Sequence, residues 1–233
     1  MATTGAKFPT LGTSVSESPW SDNAWTGPTN IYSDNASTAY VTASTFDNGD
    51  QTYVLKATGF DFSEIPDNAT ILGVECKVNA WYRSGQGSGS MDLLQLLDTS
   101  RAKVGTNQCS SPVALTTTNT TIVTKGGAAD LWGNALTPAW VKDADFGVAI
   151  GIKATAANAD VDVDYVTLEV TYEVTAPEEL IIGEASVAAA ASTPTLVELR
   201  TLDMDAASFS HAGSGPFWII QNVVLAIGPG QGK

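Results

Sequence analysis

Two stretches of the chain alternate strictly between apolar and polar residues. The first covers residues 72–82, where Val74, Cys76 and Val78 share one face, and the second covers residues 166–174. Alternation with a period of two predicts strands that bury one face and leave the other in water. Such strands are typical of antiparallel sheets, because the strands of parallel sheets are buried on both faces. The pattern therefore predicts an all-β protein built as an antiparallel β-sandwich.

Shorter patterns add detail to this fold. Residues 146–152 alternate again, with Gly147 and Gly151 on the face opposite to the apolar residues. Glycine inside a strand marks a place where another group approaches the backbone closely. The apolar positions change phase at Tyr165 and Val166, which predicts a β-bulge.

The chain divides into three segments by composition. Residues 1–17 are rich in Thr, Ser and Gly and are predicted to form an extended N-terminal arm, and residues 18–175 form the sandwich. Residues 176–233 are predicted to be a C-terminal β-rich extension used in assembly, because they carry more apolar surface than a short appendage leaves in water. The residues predicted to form this interface are Phe217, Trp218, Ile219, Ile220 and Val224.

Charge and hydropathy restrict the partners. The chain has 25 acidic and 11 basic residues and a formal net charge of −14. This balance disfavours nucleic acids and anionic membranes, both of which attract clustered Lys and Arg. No signal peptide and no apolar run of about 20 residues is visible in the sequence. We therefore expect synthesis in a cytoplasm and no membrane partner.

The two cysteines have two interpretations. Cys76 is in phase with the apolar residues of its strand, which favours a small buried side chain. The alternative is a disulfide with Cys109, which a reducing compartment disfavours.

No catalytic motif is evident in the sequence. His211 is the one histidine, and no nucleophile elbow or phosphate-binding loop accompanies it. We therefore expect neither enzyme activity nor a cofactor. Asp160, Asp162 and Asp164 place three carboxylates on one face of a strand, about 7 Å apart from one to the next. Calcium is one way to relieve their repulsion, and a solvated strand edge or an interface is the other interpretation.

Aromatic residues are the best binding candidates in the sequence. Trp20, Trp25 and Trp140 lie in loop-like stretches beside Asn, Asp, Ser and Gly. Exposed tryptophans beside polar groups stack sugar rings, and the same residues also serve as core plugs or interface anchors. Both interpretations stay open from the sequence.

Three stretches together resemble a known family. Residues 59–78, residues 131–152 and residues 163–172 are similar to a β-sandwich module of structural proteins from tailed bacteriophages and prophages. The resemblance covers residues 18–175 and implies a jelly-roll-like fold and a place in a virion. It transfers no catalytic residue.

Two functions are expected, the first from the resemblance and the second from the tryptophans in loop-like stretches. The first is a bacteriophage virion structural protein, either a capsid decoration or minor head protein or a tail or fibre component, which assembles as a homo-oligomer. A homotrimer that contacts other virion proteins is the expected state. The alternative is a carbohydrate-binding adhesion module that recognises glycans on the host surface.

Overall fold

A computed structural model describes residues 1–42 and 44–174. The predicted C-terminal extension, its interface residues and His211 lie outside these residues. The regular secondary structure of the described part is almost entirely β-strand. The strands are β1 (Ala2–Thr3), β2 (Leu11–Val15), β3 (Ala39–Val41), β4 (Val54–Thr58), β5 (Ala69–Tyr82), β6 (Gly89–Leu97), β7 (Lys103–Val104), β8 (Val113–Ala114), β9 (Ile122–Gly126), β10 (Gly147–Ala154) and β11 (Val161–Val174).

Two antiparallel sheets pack face to face, as the alternation predicts. Sheet 1 has the order β1-β11-β5-β9, and β3 pairs with the other end of β11. Sheet 2 has the order β2-β4-β10-β6-β7, and β8 also pairs with β6. The chain is thus an antiparallel, jelly-roll-like β-sandwich, which confirms the predicted fold class.

Helical structure within residues 1–42 and 44–174 is limited to two single turns. Pro28–Ile31 forms a 3₁₀ turn, and Pro138–Val141 forms α1. Thr137 caps α1, because its hydroxyl accepts a hydrogen bond from the Trp140 amide. Among the described residues, no helix combines the length and the apolar character needed to cross a membrane.

The core lies between the inner faces of the two sheets. The long strands β5 and β11 pair along most of their length, from Val161 opposite Tyr82 to Val174 opposite Ala69. Their inward side chains are fully buried, including Cys76, which confirms the prediction of a small buried residue. Cys109 is also a buried free thiol, and burial raises its pKa to about 11.

Both predicted irregularities of the strands are present. The register between β5 and β11 shifts between Val163 and Val166, which confirms the bulge. Gly151 lies under the Trp20 ring, where an added Cβ would be 2.6 Å from a ring carbon. The corresponding atom on Gly147 would lie 1.9 Å from the Ala57 carbonyl oxygen. Gly151 therefore leaves room for the Trp20 ring, and Gly147 leaves room for the neighbouring strand β4.

The N-terminal segment adds a strand to each of the two sheets. Ala2–Thr3 pairs with β11 at one edge of sheet 1, and Leu11–Val15 pairs with β4 at one edge of sheet 2. The segment is extended, but both of its strands complete sheets of the sandwich. The edges of β4 and β11 carry backbone N–H and C=O groups that need hydrogen-bond partners. The N-terminal strands provide these partners.

Candidate functional site

Two of the three tryptophans selected from the sequence are buried. Trp20 is 7% exposed and packs on the outer face of sheet 2 with Leu93, Leu97 and other apolar residues. Trp25 is 4% exposed and belongs to the main core, where its Nε1 donates to the Tyr53 carbonyl oxygen at 2.8 Å. Neither ring is available for stacking on a sugar, so these two candidates serve as core plugs.

Trp140 is half-buried and lines an open groove. The groove has a volume of about 530 Å³ and is lined by Asp98, Thr99, Thr137, Ala139, Trp140 and Asp143. The Asp98 Oδ1 atom already accepts hydrogen bonds from the amides of Ser100 and Ala102. The Trp140 Nε1 atom is buried without a partner, so the polar edge of the ring is turned away from solvent.

Arg83 neutralises the acidic cluster selected as a calcium candidate. Its Nε donates to Asp162 Oδ2 at 2.8 Å, and its Nη2 donates to Asp162 Oδ1 at 2.9 Å. The Thr38 hydroxyl also donates to Asp162 Oδ1, and Arg83 Nη1 lies 3.5 Å from Asp160 Oδ2. A charge-assisted bidentate pair therefore compensates the charge of Asp162. Within the described residues, no group of three or more potential ligands is arranged to hold a metal ion.

The same contacts identify a surface that sequence analysis missed. Trp81 and Tyr40 lie opposite Asp162 on its two neighbouring strands, β5 and β3, so all three side chains share the outer face of sheet 1. Arg83 stands over the Tyr40 ring, 5.6 Å from its centroid. We refer to the surface formed by Asn79, Trp81, Arg83, Tyr40, Asp160, Asp162 and Asp164 as the Trp81 face.

Unsatisfied polar atoms are concentrated on the Trp81 face. Five buried side-chain atoms of the described residues lack a hydrogen-bond partner, and three of them are Asn79 Oδ1, Asp160 Oδ1 and Asp164 Oδ1. The register places the bulge at Asp164 opposite Asn79. Buried polar atoms are normally paired, and an orphan in a folded protein indicates strain, a functional role or a bound water or ion. Bulges next to functional sites commonly redirect a side chain.

Burial changes the acidity of two carboxyl groups on this face. The pKa of Asp160 is raised mainly because burial disfavours its charged form, although Arg83 opposes this effect. The pKa of Asp164 is also raised mainly by burial, and the nearby Asp34 carboxylate raises it further. The backbone N–H groups of Asn35 and Ala36 partly offset the rise at Asp164.

We expect Asp164→Asn to stabilise the protein at neutral pH. The folded-state pKa of Asp164 lies above its unfolded value, so the folded chain binds more protons between the two pKa values. Its contribution to stability is therefore present at low pH and is lost as the pH rises through the folded pKa. The amide stays neutral, so the variant should melt at a higher temperature than wild type at pH 7 and at an equal temperature near pH 3.

Asp98→Asn is the matched control for this prediction. Hydrogen bonds from Ser100 are the main cause that lowers the pKa of Asp98, so this variant should lose stability at pH 7 instead. Thermal unfolding followed by circular dichroism measures both variants. Equal melting temperatures of Asp164→Asn and wild type at pH 7 would contradict the prediction.

The sequence contains a weak signal for the Trp81 face. Trp81 is one of the outward residues of the long alternating strand, in phase with Asn79 and out of phase with Val78. An aromatic ring on the wet face of a strand is a candidate for binding. Its neighbours Tyr40 and Asp162 come from strands distant in sequence, so only the sheet brings them together.

Comparisons with known proteins add one structural neighbour. No protein-family model matches the chain, and no curated protein matches it at a significant level. The chain is similar to the CBM22-1 xylan-binding domain of Xyn10C from Paenibacillus barcinonensis, with a TM-score of 0.32 and 13% identity. The similarity covers 73% of this chain and 97% of that domain. A similarity at this level says nothing about what this chain binds.

Proposed function

We propose that the chain is a structural protein of a bacteriophage virion that acts through oligomeric assembly. In the virion it serves as a capsid decoration or minor head protein, or as a tail or fibre component. The supporting observation is that the three stretches which resemble phage structural proteins form one packed unit.

The contacts within this unit are specific. Residues 59–78 contain most of β5, and residues 163–172 contain most of β11, which pairs with β5. Trp132, in the stretch 131–152, is fully buried, and its Nε1 donates to the Val74 carbonyl oxygen at 2.8 Å. The resemblance thus extends over a continuous part of the sandwich, which supports the family it points to.

An unpaired strand edge supports the assembly role. Within the described residues, β9 lies at the end of sheet 1 and pairs only with β5. Its first residue, Ile122, is 43% exposed. Exposed strand edges pair readily with other chains, and a virion subunit uses such contacts in a controlled way. We propose a homotrimer that contacts other virion proteins.

Particle composition tests the virion proposal directly. Phage particles from a lysogenic or infected culture that carries the gene are purified on a density gradient and analysed by mass spectrometry. We expect the chain in the particle fraction at a constant ratio to the major capsid protein. Particles from a strain in which the gene is deleted are the control. Recovery of the chain only in the soluble fraction would refute the proposal.

Light scattering tests the oligomeric part separately. We expect the full-length chain to have the mass of a trimer at micromolar concentration. A chain that ends at Glu179 should be a monomer, because the extension predicted to mediate assembly has been removed. A monomeric full-length chain would refute self-assembly. Attachment to another virion protein would then be the part of the proposal that stands.

A second candidate function is carbohydrate recognition. The observation that favours it is the Trp81 face, where two aromatic rings flank a fixed Arg83–Asp162 pair. This function is compatible with the first, because a virion protein that reaches the host surface can carry a glycan-binding face.

A further inference from the structure

We propose that the Trp81 face binds a neutral saccharide chain. The inference rests on the second candidate function and assigns a site to it. The site lies on the outer face of sheet 1, away from the tryptophans that sequence analysis selected. Its parts are two aromatic rings, one fixed guanidinium and a set of unsatisfied acceptors.

The aromatic rings form the apolar part of the site. Trp81 and Tyr40 are half-buried, and they lie on either side of β11, on opposite sides of Asp162. Two strand spacings separate their backbones, which is about 10 Å. The Trp81 ring keeps part of its surface accessible, whereas Arg83 covers one face of the Tyr40 ring. Such rings provide apolar contact area at low entropic cost, because their conformations are already restricted.

Arg83 provides fixed donors between these rings. Two of its nitrogens are bound to Asp162, which is 1% exposed, and the ring of Tyr40 lies beneath the guanidinium. The Arg83 side chain is nevertheless 47% exposed. A guanidinium has five N–H donors, so some remain for a ligand oxygen. The cost of ordering this side chain has been met before any ligand binds.

The orphaned atoms define the chemistry of the ligand. Asn79 Oδ1, Asp160 Oδ1 and Asp164 Oδ1 are all acceptors, and their residues are 6%, 7% and 5% exposed. They require a partner that donates hydrogen bonds. Saccharide hydroxyls both donate and accept hydrogen bonds, so they supply the missing donor through an ordered water while Arg83 keeps its position. An ionised carboxylate or phosphate group brings acceptors only and would leave these oxygens unpaired.

Arg83 also disfavours a cationic ligand. Cations bind over aromatic faces, but the guanidinium already occupies this position on Tyr40. It also neutralises Asp162, the carboxylate between the two rings. A second cation at the same place meets repulsion from Arg83. A neutral ligand with many hydroxyl groups fits the acceptors, the rings and the charge together.

A glycan array followed by calorimetry tests the site in the full-length protein. The array carries bacterial surface polysaccharides and neutral plant and animal oligosaccharides, and the strongest neutral hit is used for titration. We expect Trp81→Ala to weaken binding by tenfold or more. Trp81→Phe, which keeps a ring, should retain most of the affinity.

Trp140→Ala is the matched control, because it removes another half-buried tryptophan from a different surface. It should change the affinity by less than twofold. Circular dichroism melts verify that each variant folds. Tyr40→Ala tests the opposite side of the same face if Trp81→Ala fails to fold, and it should also weaken binding at least severalfold. Tetramethylammonium chloride is titrated in parallel as a cationic probe.

The outcomes separate the site from the function. Binding of an oligosaccharide that persists in folded Trp81→Ala and Tyr40→Ala would overturn the site and leave carbohydrate recognition standing. No binding anywhere on the array would refute both. Saturable binding of tetramethylammonium without saccharide binding would assign the face to cationic ligands and overturn the proposal.

Discussion

Val78→Asp should prevent the protein from folding. Val78 is fully buried and lies opposite Val166 on β11 and Val123 on β9, in the centre of sheet 1. An aspartate at this position buries an unpaired charge between the sheets, which costs more than the roughly 5 kcal/mol that marks an exceptional mutation. That cost is comparable to the total stability of a typical domain, about 5–15 kcal/mol. Circular dichroism should show no cooperative thermal transition.

Thr124→Asp is the matched control for Val78→Asp. Thr124 lies on β9 next to Val123, but its side chain is exposed on the outer face, opposite Lys77. The new carboxylate stays in water there and faces a lysine, so the melting temperature should remain within a few degrees of wild type. A normal transition in Val78→Asp would mean that this face of β5 is not the core.

Trp132→Ala should cause the second-largest loss of stability. Trp132 is fully buried, its indole donates to the Val74 carbonyl oxygen, and its own carbonyl oxygen accepts from the Thr106 amide at 2.7 Å. Truncation of a buried tryptophan leaves a large cavity and costs about 3–5 kcal/mol. For a chain of this size, we expect the melting temperature to fall by roughly 10 °C.

Two variants separate the causes of this loss. Trp132→Phe keeps a ring but removes the indole donor, and the Val74 oxygen still accepts from the Gly127 amide at 3.0 Å. We expect an intermediate loss of about 1–2 kcal/mol. Trp140→Ala should cost less than Trp132→Ala, because Trp140 is only half-buried. Urea denaturation measures all three, and equal losses at both tryptophans would contradict the buried role of Trp132.

Patterns within single strands were read correctly from the sequence. The inward set around Val78, the bulge before Val166 and the close approach at Gly151 are all present. These features depend on side-chain alternation along one strand or on the absence of a side chain. Such properties are local, so they are visible without knowledge of the neighbours.

Side-chain roles that depend on neighbours were read less well. Trp20 lies among polar residues in sequence, but the fold places it on an apolar patch of sheet 2. The carboxylates around Asp162 suggested a cation, and the cation is Arg83, which is 79 positions away in sequence. The strands of the extended N-terminal segment each complete the edge of a sheet, which depends on partners far away in sequence.

The sequence by itself determined the fold class and the buried face of the long strands, because a period of two in hydrophobicity fixes which side of a strand avoids water. Tertiary structure decided which polar and aromatic groups meet. Trp81, Asp162 and Tyr40 come from three strands and become neighbours only through the register of β5, β11 and β3. That register is set by pairing between residues far apart in the chain, and local alternation carries no information about it.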